Sequence, residues 1–298
     1  IGDQLKNNYL SFSNLHSTIT ILIISSCLIG SILSMFIESK FEINFILFPI
    51  LFTSFSLFSN NITAILLEKL SEVIKINLEQ KILHLLFSNT VIFTGSALLM
   101  IQGTLSFKMV MAISIGLLTT SIIFPFLNRI LSTNSSINQK MVNESKISIL
   151  NTLTNGLFFG FLGTFALIAI IGMIIFLGFS ISGTQVKLFY DFYFLSIISL
   201  TIFTSSFPII SDTLSKPIID NSKGIAEMLA LDPEYQKNMH DINIYENITS
   251  SYFKIINTIS IILVSYAILL FALLESLNSA EIISLRNLFT ITENHSAL

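Results

Sequence analysis

The chain has 298 residues, of which 52% are hydrophobic and only 11% are charged, and its mean hydropathy is +0.80. Soluble domains carry about 25% charged residues, so this composition excludes a soluble domain and predicts an integral membrane protein. The net charge of −3 and the lack of a basic block give no indication of a nucleic-acid partner.

Apolar runs long enough to cross a bilayer recur along the chain. A transmembrane helix needs about 20 such residues, and the runs lie near residues 17–37, 43–66, 82–104, 108–128, 150–180, 188–210 and 252–275. Each run is too long for a transmembrane strand. The sequence therefore predicts an all-α, polytopic bundle of about seven transmembrane helices in contact with lipid, with residues 1–298 as a single membrane domain.

The positive charges divide unevenly between the two sides of this bundle. If the spans alternate in direction, eleven of the 15 lysines and arginines fall on one side, together with the polar segment 211–251. Cytoplasmic loops carry the excess of such residues. The segment 211–251 is therefore predicted to be cytoplasmic.

Two small residues in the fifth apolar run are spaced for helix packing. Gly156 and Gly160 are four residues apart, and small residues at this spacing let helix backbones approach closely in lipid. The alternative is that they are incidental glycines in an apolar helix. Neither interpretation gives these glycines a catalytic or ligand-binding role.

The polar segment contains a short acidic helix. Pro217 suits the first turn of a helix, and the pattern predicts a helix over about 217–230. Asp220, Lys223 and Glu227 then share one face. Carboxylates on such a face are suitable ligands for Mg²⁺, although the same spacing is also typical of a solvated helix surface.

This segment resembles a motif of the membrane-bound pyrophosphatases, which couple hydrolysis of inorganic pyrophosphate to export of H⁺ or Na⁺. DNSKGIAEM, at residues 220–228, is similar to D-N-A-G-G-I-A-E-M of the family. PEYQKNMHDINIYENITSSYFK, at residues 233–254, is similar to P-E-x-R-x-x-T-D-x-L-D-x-x-G-N-T-T-A-A-x-x-K. The outright matches in the second stretch are Pro233, Glu234, Asn247, Thr249 and Lys254.

The resemblance extends towards the first residues of the chain. GLFFGFLGT resembles the family pattern G-L-A-V-G-M-x-S-T, and Ile1-Gly2-Asp3 resembles the last V-G-D of D-N-V-G-D-N-V-G-D. The resemblance implies that the chain covers about the middle half of a larger pump.

The resemblance also implies a site at the cytoplasmic ends of several helices, where acidic groups hold Mg²⁺ ions around pyrophosphate and activate a water. By matching position, Asp3 and Asp220 are the catalytic residues. Asp3, Asp220 and Asn221 are the implied metal ligands, and Asn221 and Lys254 the implied substrate contacts. Asp220 and Asn221 are expected to meet Lys254 at the inner mouth of the bundle. A structural role for Glu227 is at least as consistent with its position.

Two further properties follow from the family. A lysine at the position of Ser250 marks independence from K⁺, so the serine favours a K⁺-dependent type. The family also implies a homodimer.

Several family acids are missing from the matching positions. The acid that precedes the motif proline by four residues falls on Thr213, with Asp212 one place early, and rescue by Asp212 would need a bulge. The T-D-x-L-D stretch has His240 and Asn243 in place of its two carboxylates, and Lys223 replaces a glycine. The acidic run expected for ion gating reads Leu-Ser-Phe-Ser at residues 10–13.

These departures leave alternative functions open. The second hypothesis is a catalytically inactive membrane scaffold of the same fold, and the third is an unrelated secondary transporter. Intramembrane ionisable groups are the usual mark of an ion pathway, and His84 is a candidate at the edge of the third run. A packing or interfacial role is the favoured interpretation of His84.

Overall fold

The computed structural model describes residues 2–36, 45–70, 78–131, 136–146, 148–180, 188–214, 216–229 and 232–295. Within these ranges the regular structure is helical throughout, with no strand. The helices are α1 Gly2–Phe36, α2 Phe48–Leu70, α3 Leu78–Ile101, α4 Phe107–Leu131, α5 Ser136–Ser145, α6 Ile149–Ser180, α7 Leu188–Ser205, α8 Phe207–Ile210, α9 Lys216–Met228 and α10 Pro233–His295. A 3₁₀ turn, Ser211–Leu214, joins α8 to α9.

The predicted all-α polytopic bundle is confirmed. Among the described residues, six helices (α1, α2, α3, α4, α6 and α10) are long and apolar enough to cross a membrane. A seventh span is formed if α7 is taken together with α8 and the 3₁₀ turn, which are bent against α7 by 42°. Helices satisfy their own backbone hydrogen bonds, which lipid cannot do, so the apolar runs fold as helices.

Two helices extend well beyond the apolar runs that predict them. The helix α1 begins 15 residues before the run near 17–37, and the 63-residue α10 extends beyond both ends of the run near 252–275. No glycine or proline follows Pro233 in α10, so nothing in the sequence breaks the helix at the membrane boundary. The change from polar to apolar residues near residue 252 therefore marks the start of the apolar part of α10, not the start of the helix, which is at Pro233.

The bundle is built around α7. Residues 191–206 are all buried, and α7 contacts α1, α2, α4, α6 and α10. A helix surrounded in this way has no solvent or lipid face, which explains why apolar and small residues lie on every side of it, with the buried Asp191 as an exception in its first turn. The short segment α8 and the 3₁₀ turn continue from α7 and place α9 at one end of the bundle, called here the α9 end.

Among the described residues, no close packing contact is found at Gly156 and Gly160, which favours the alternative of incidental glycines. A Cβ added at Gly160 would meet nothing within 4 Å, and one at Gly156 would meet only Met141 Cε at 3.6 Å. The close approach lies at Gly116 of α4, where an added Cβ would stand 2.7 Å from the Cβ of Thr201 in α7. Spacing of small residues permits a close contact but does not say which helix face is covered.

We expect Gly116→Ala to destabilise the bundle by about 1–3 kcal/mol, because the new methyl group meets a backbone-anchored atom and forces α4 away from α7. The matched control is Gly160→Ala, which adds the same group in open space and gains helix propensity. Thermal unfolding of both variants in detergent checks the prediction. Equal melting temperatures for the two variants would contradict it.

His84 of α3 packs against α2. Its ring Nε2 lies 3.2 Å from the carbonyl oxygen of Asn60 and 3.1 Å from Thr63 Oγ1. One turn further along α3, Asn89 donates to Thr120 Oγ1 and Ser121 Oγ of α4 at 3.1 and 2.9 Å. Polar side chains in the membrane pair with neighbouring helices in this way. The geometry supports the packing interpretation of His84.

Candidate functional site

Helices α9 and α10 form an antiparallel hairpin at the α9 end. Lys216, the first residue of α9, donates from Nζ to Asn247 Oδ1 at 2.6 Å. One turn later, Asp220 Oδ1 accepts from Asn243 Nδ2 at 2.9 Å. Residue numbers rise along α9 as they fall along α10, so the two helices run in opposite directions.

These contacts belong to one continuous hydrogen-bond chain, called here the Lys216–Asp220 relay. Its middle link is the bond from Asn247 Nδ2 to Asn243 Oδ1 at 3.0 Å. Every donor in the relay points from the ammonium of Lys216 towards the carboxylate of Asp220. Bonds aligned in this way polarise one another, so the relay strengthens the hydrogen bond that Asn243 donates to the carboxylate of Asp220. Since only Oδ1 of Asp220 accepts from Asn243, its Oδ2 is left for another ligand.

Asn221 is placed differently from its neighbour. Its side-chain amide donates to the carbonyl oxygen of Pro217 at 2.7 Å, a bond within α9 itself. The implied metal and substrate ligands Asp220 and Asn221 are therefore adjacent in sequence, but only Asp220 takes part in the relay.

Ser250 and Lys254 continue the face of α10 that carries the relay. Asn243, Asn247, Ser250 and Lys254 are spaced i, i+4, i+7 and i+11, which places them on one stripe of the helix. Lys254 nevertheless lies about 16 Å along the axis from Asn243, and no hydrogen bond or ion pair joins it to Asp220. The structure thus aligns these residues without bringing Lys254 into contact with Asp220.

Asp3 lies in the first turn of α1, and its side chain is outside the described residues. Thr18 Oγ1 of α1 donates to Asn257 Oδ1 of α10 at 2.8 Å, which fixes the height of one helix against the other. As the first and seventh spans, both helices run in the same direction. Asp3 precedes Thr18 by 15 residues and Asn243 precedes Asn257 by 14. The backbone of Asp3 is therefore at about the height of Asn243 and Asp220.

Asp212 does not join this group. The segment Ser211–Leu214 is a 3₁₀ turn, not the bulge that rescue of the missing acid would need. The carboxylate of Asp212 binds Lys81 Nζ of α3 at 2.9 Å and accepts from the hydroxyl of Tyr245. Tyr245 and Asn243 are two residues apart in α10 and so face roughly opposite ways. Asp212 and Asp220 accordingly lie on opposite sides of α10.

The contacts of four residues that bind the acids, directly or through the relay, were not predicted from the sequence. The spacing of Asn243 and Asn247 by four residues is the signal that could have indicated a shared helix face. Lys216 precedes the motif proline and carries no such signal. Lys81 lies 131 residues from Asp212, and only the tertiary fold connects them.

The donor set fits one Mg²⁺ more closely than several. Mg²⁺ is often bound through one or two carboxylates together with substrate phosphates, and Asp220 Oδ2 supplies one such oxygen. Within the described ranges, no group of three or more His, Cys, Asp or Glu side chains comes together. The described side chains could therefore share one Mg²⁺ with a phosphate ligand.

Comparison with known proteins identifies the family. The model of the family described as inorganic H⁺ pyrophosphatase matches residues 9–293, nearly the whole chain. Among curated proteins, none matches. The family match and the apolar helices together make this an integral, multi-pass membrane protein, and they confirm the resemblance seen in the acidic motif. The chain belongs to the inorganic H⁺ pyrophosphatase family.

Proposed function

We propose that the chain works in a pyrophosphate-energised pump that hydrolyses inorganic pyrophosphate with Mg²⁺ and exports H⁺ or Na⁺. Family membership supports pyrophosphate hydrolysis and ion transport in general. The observation that carries the proposal for this chain is the Lys216–Asp220 relay, because it joins Asp220 and Asn247, two residues of the matched motifs, at one end of the bundle. The excess of positive charge on this side supports a cytoplasmic location for this end.

The proposed roles follow from charge and position. Asp220, which accepts the last hydrogen bond of the relay, and Asp3, whose backbone is at about the same height, are the proposed catalytic carboxylates and, with Asn221, the proposed metal ligands. Lys254 and Asn221 are the substrate contacts, with the Lys254 ammonium attracting phosphate oxygens further along the stripe. A bound Mg²⁺ would neutralise phosphate charge. Ser250 stands where a lysine would mark independence from K⁺, so the proposed pump is of the K⁺-dependent type. The family resemblance supports a homodimer.

A catalytically inactive scaffold of the same fold is the second candidate. Asn243 stands where the family pattern has a carboxylate, and its amide binds Asp220 directly. A carboxylate at this position would add a second acidic ligand beside Asp220, whereas the amide donates a hydrogen bond and adds no charge. This exchange weakens the site for metal ions and favours a structural role.

Reconstitution of the full-length gene product in vesicles separates the two functions. We expect phosphate release from pyrophosphate that requires Mg²⁺, accompanied by uptake of H⁺ or Na⁺ into the vesicles. The measurements are a colorimetric phosphate assay, a pH-sensitive dye and radioactive sodium. If well-folded protein releases no phosphate, the pump proposal is wrong and the inactive scaffold remains as the candidate function.

A further inference from the structure

A cleft opens in the hairpin beyond the relay, between the second half of α9 and the first two turns of α10. Its volume is about 390 Å³, which is within the range of small-molecule sites. We call it the hairpin cleft; it is lined by Lys223, Ala226, Glu227, Pro233, Gln236, Lys237, Met239 and His240.

Basic groups outnumber acidic ones in this lining. Two lysines and a histidine face a single carboxylate, Glu227. That carboxylate lies 3.8 Å from Lys223 Nζ and is 61% exposed, so solvent screens the pair and its contribution is small. Since Lys223 comes from α9 and Lys237 from α10, the cleft offers cationic groups from both arms of the hairpin.

Several departures from the family motifs fall in the cleft. Lys223 replaces the second glycine of A-G-G, and His240 replaces the aspartate of T-D. Gln236 replaces an arginine, so one positive charge is lost while another is gained and a negative charge is removed. The cleft therefore lacks the carboxylate that the family pattern has at the position of His240, and it gains a lysine, Lys223, on α9.

The position of the cleft decides between soluble and lipid ligands. His240 precedes Lys254, where the apolar part of α10 begins, by 14 residues, or about 21 Å along the helix. Pro233 lies further still from that boundary. Phosphate groups of lipids remain at the membrane surface, so they do not reach the lining residues.

We propose that the hairpin cleft binds a small phosphate-bearing anion from solution. The anion bridges Lys223 and Lys237 by charge-assisted hydrogen bonds and ties α9 to α10. Lys223 is one turn from Asp220 on α9, so occupancy of the cleft stiffens the helix that carries the relay. The site is separate from the proposed catalytic carboxylates.

The test is isothermal titration of the purified full-length protein with inorganic phosphate in EDTA, so that no Mg²⁺ supports the catalytic site. We expect Lys223→Gly combined with His240→Asp, which restores the family residues, to weaken binding by roughly tenfold or more. Lys237→Gln should weaken it by a similar factor. Glu227→Gln should strengthen it by about threefold, because the competing carboxylate is removed.

Controls separate this site from the rest of the protein. Lys140→Gln changes an exposed lysine on α5 and should leave binding unchanged. Thermal unfolding without phosphate checks that every variant is folded. Three outcomes would overturn the proposal: unchanged affinity in both folded lysine variants, an equal loss in Lys140→Gln, or binding only to phosphatidylcholine vesicles that contain phosphatidylglycerol.

Discussion

Replacing Asp220 with Asn is expected to lower the rate of Mg²⁺-dependent phosphate release by about a hundredfold, whereas Glu227→Gln should leave it within about threefold of the wild type. Both acids match the same motif and both belong to α9. Only Asp220 receives the relay from Lys216, through Asn247 and Asn243. The amide of Asn keeps the size of the side chain but loses the negative charge that would hold a phosphate-bound Mg²⁺.

Comparing the two variants controls for a general effect of lost charge on folding and for differences in the amount of folded protein. Both variants alter an exposed carboxylate of one helix, so a general effect of lost charge on folding would appear in each. Phosphate release is measured in vesicles at saturating pyrophosphate over a range of Mg²⁺ concentrations, and thermal unfolding confirms the amount of folded protein. Equal losses in Asp220→Asn and Glu227→Gln would show that the relay does not distinguish the two acids.

The sequence predicted the bundle well because the bilayer imposes a simple rule. Any span must hide its backbone polar groups and present apolar side chains, so apolar runs are translated directly into helices. The rule says nothing about where a helix continues into water, and for this reason the start of α10 at Pro233 lay outside the apolar run near 252–275.

The site was less predictable, for a different reason. The face shared by Asn243, Asn247, Ser250 and Lys254 follows from helical periodicity alone, and the motif pointed to Asp220. The register between α9 and α10 depends on tertiary packing, and it sets Asp220 against Asn243 rather than Lys254. The glycine spacing at 156 and 160 failed similarly, since the contact at Gly116 depends on which face of α4 meets α7.

Replacing Lys81 with Met is expected to destabilise the protein by about 2 kcal/mol, because it removes the ammonium that pairs with the partly buried carboxylate of Asp212. Lys81 Nζ lies 3.0 Å from Asp212 Oδ1 and 2.9 Å from Oδ2. The two side chains are 26% and 21% exposed, so solvent screening keeps the expected loss below that of a fully buried pair. The pair ties α3 to the 3₁₀ turn, just after the 42° bend between α7 and α8.

A double-mutant cycle with Asp212→Asn isolates the interaction. The combined variant should be more stable than the sum of the single losses predicts, with a coupling free energy of about 1–2 kcal/mol. Tyr245→Phe, which removes only the hydroxyl that donates to Asp212, should cost about 1 kcal/mol. Unfolding in mixed detergent micelles gives all these values, and purely additive losses would mean that the pair contributes nothing.

The same variants decide whether Asp212 replaces the acid missing at Thr213. Because Tyr245 and Asn243 face roughly opposite sides of α10, Asp212 is directed away from the relay. Lys81→Met and Asp212→Asn should therefore change stability while the Mg²⁺ concentration for half-maximal phosphate release stays the same. A shift in that concentration in folded Asp212→Asn protein would place Asp212 among the metal ligands, against the geometry described here. An unchanged value leaves Asp220 and Asp3 as the acids on which the proposed hydrolysis depends.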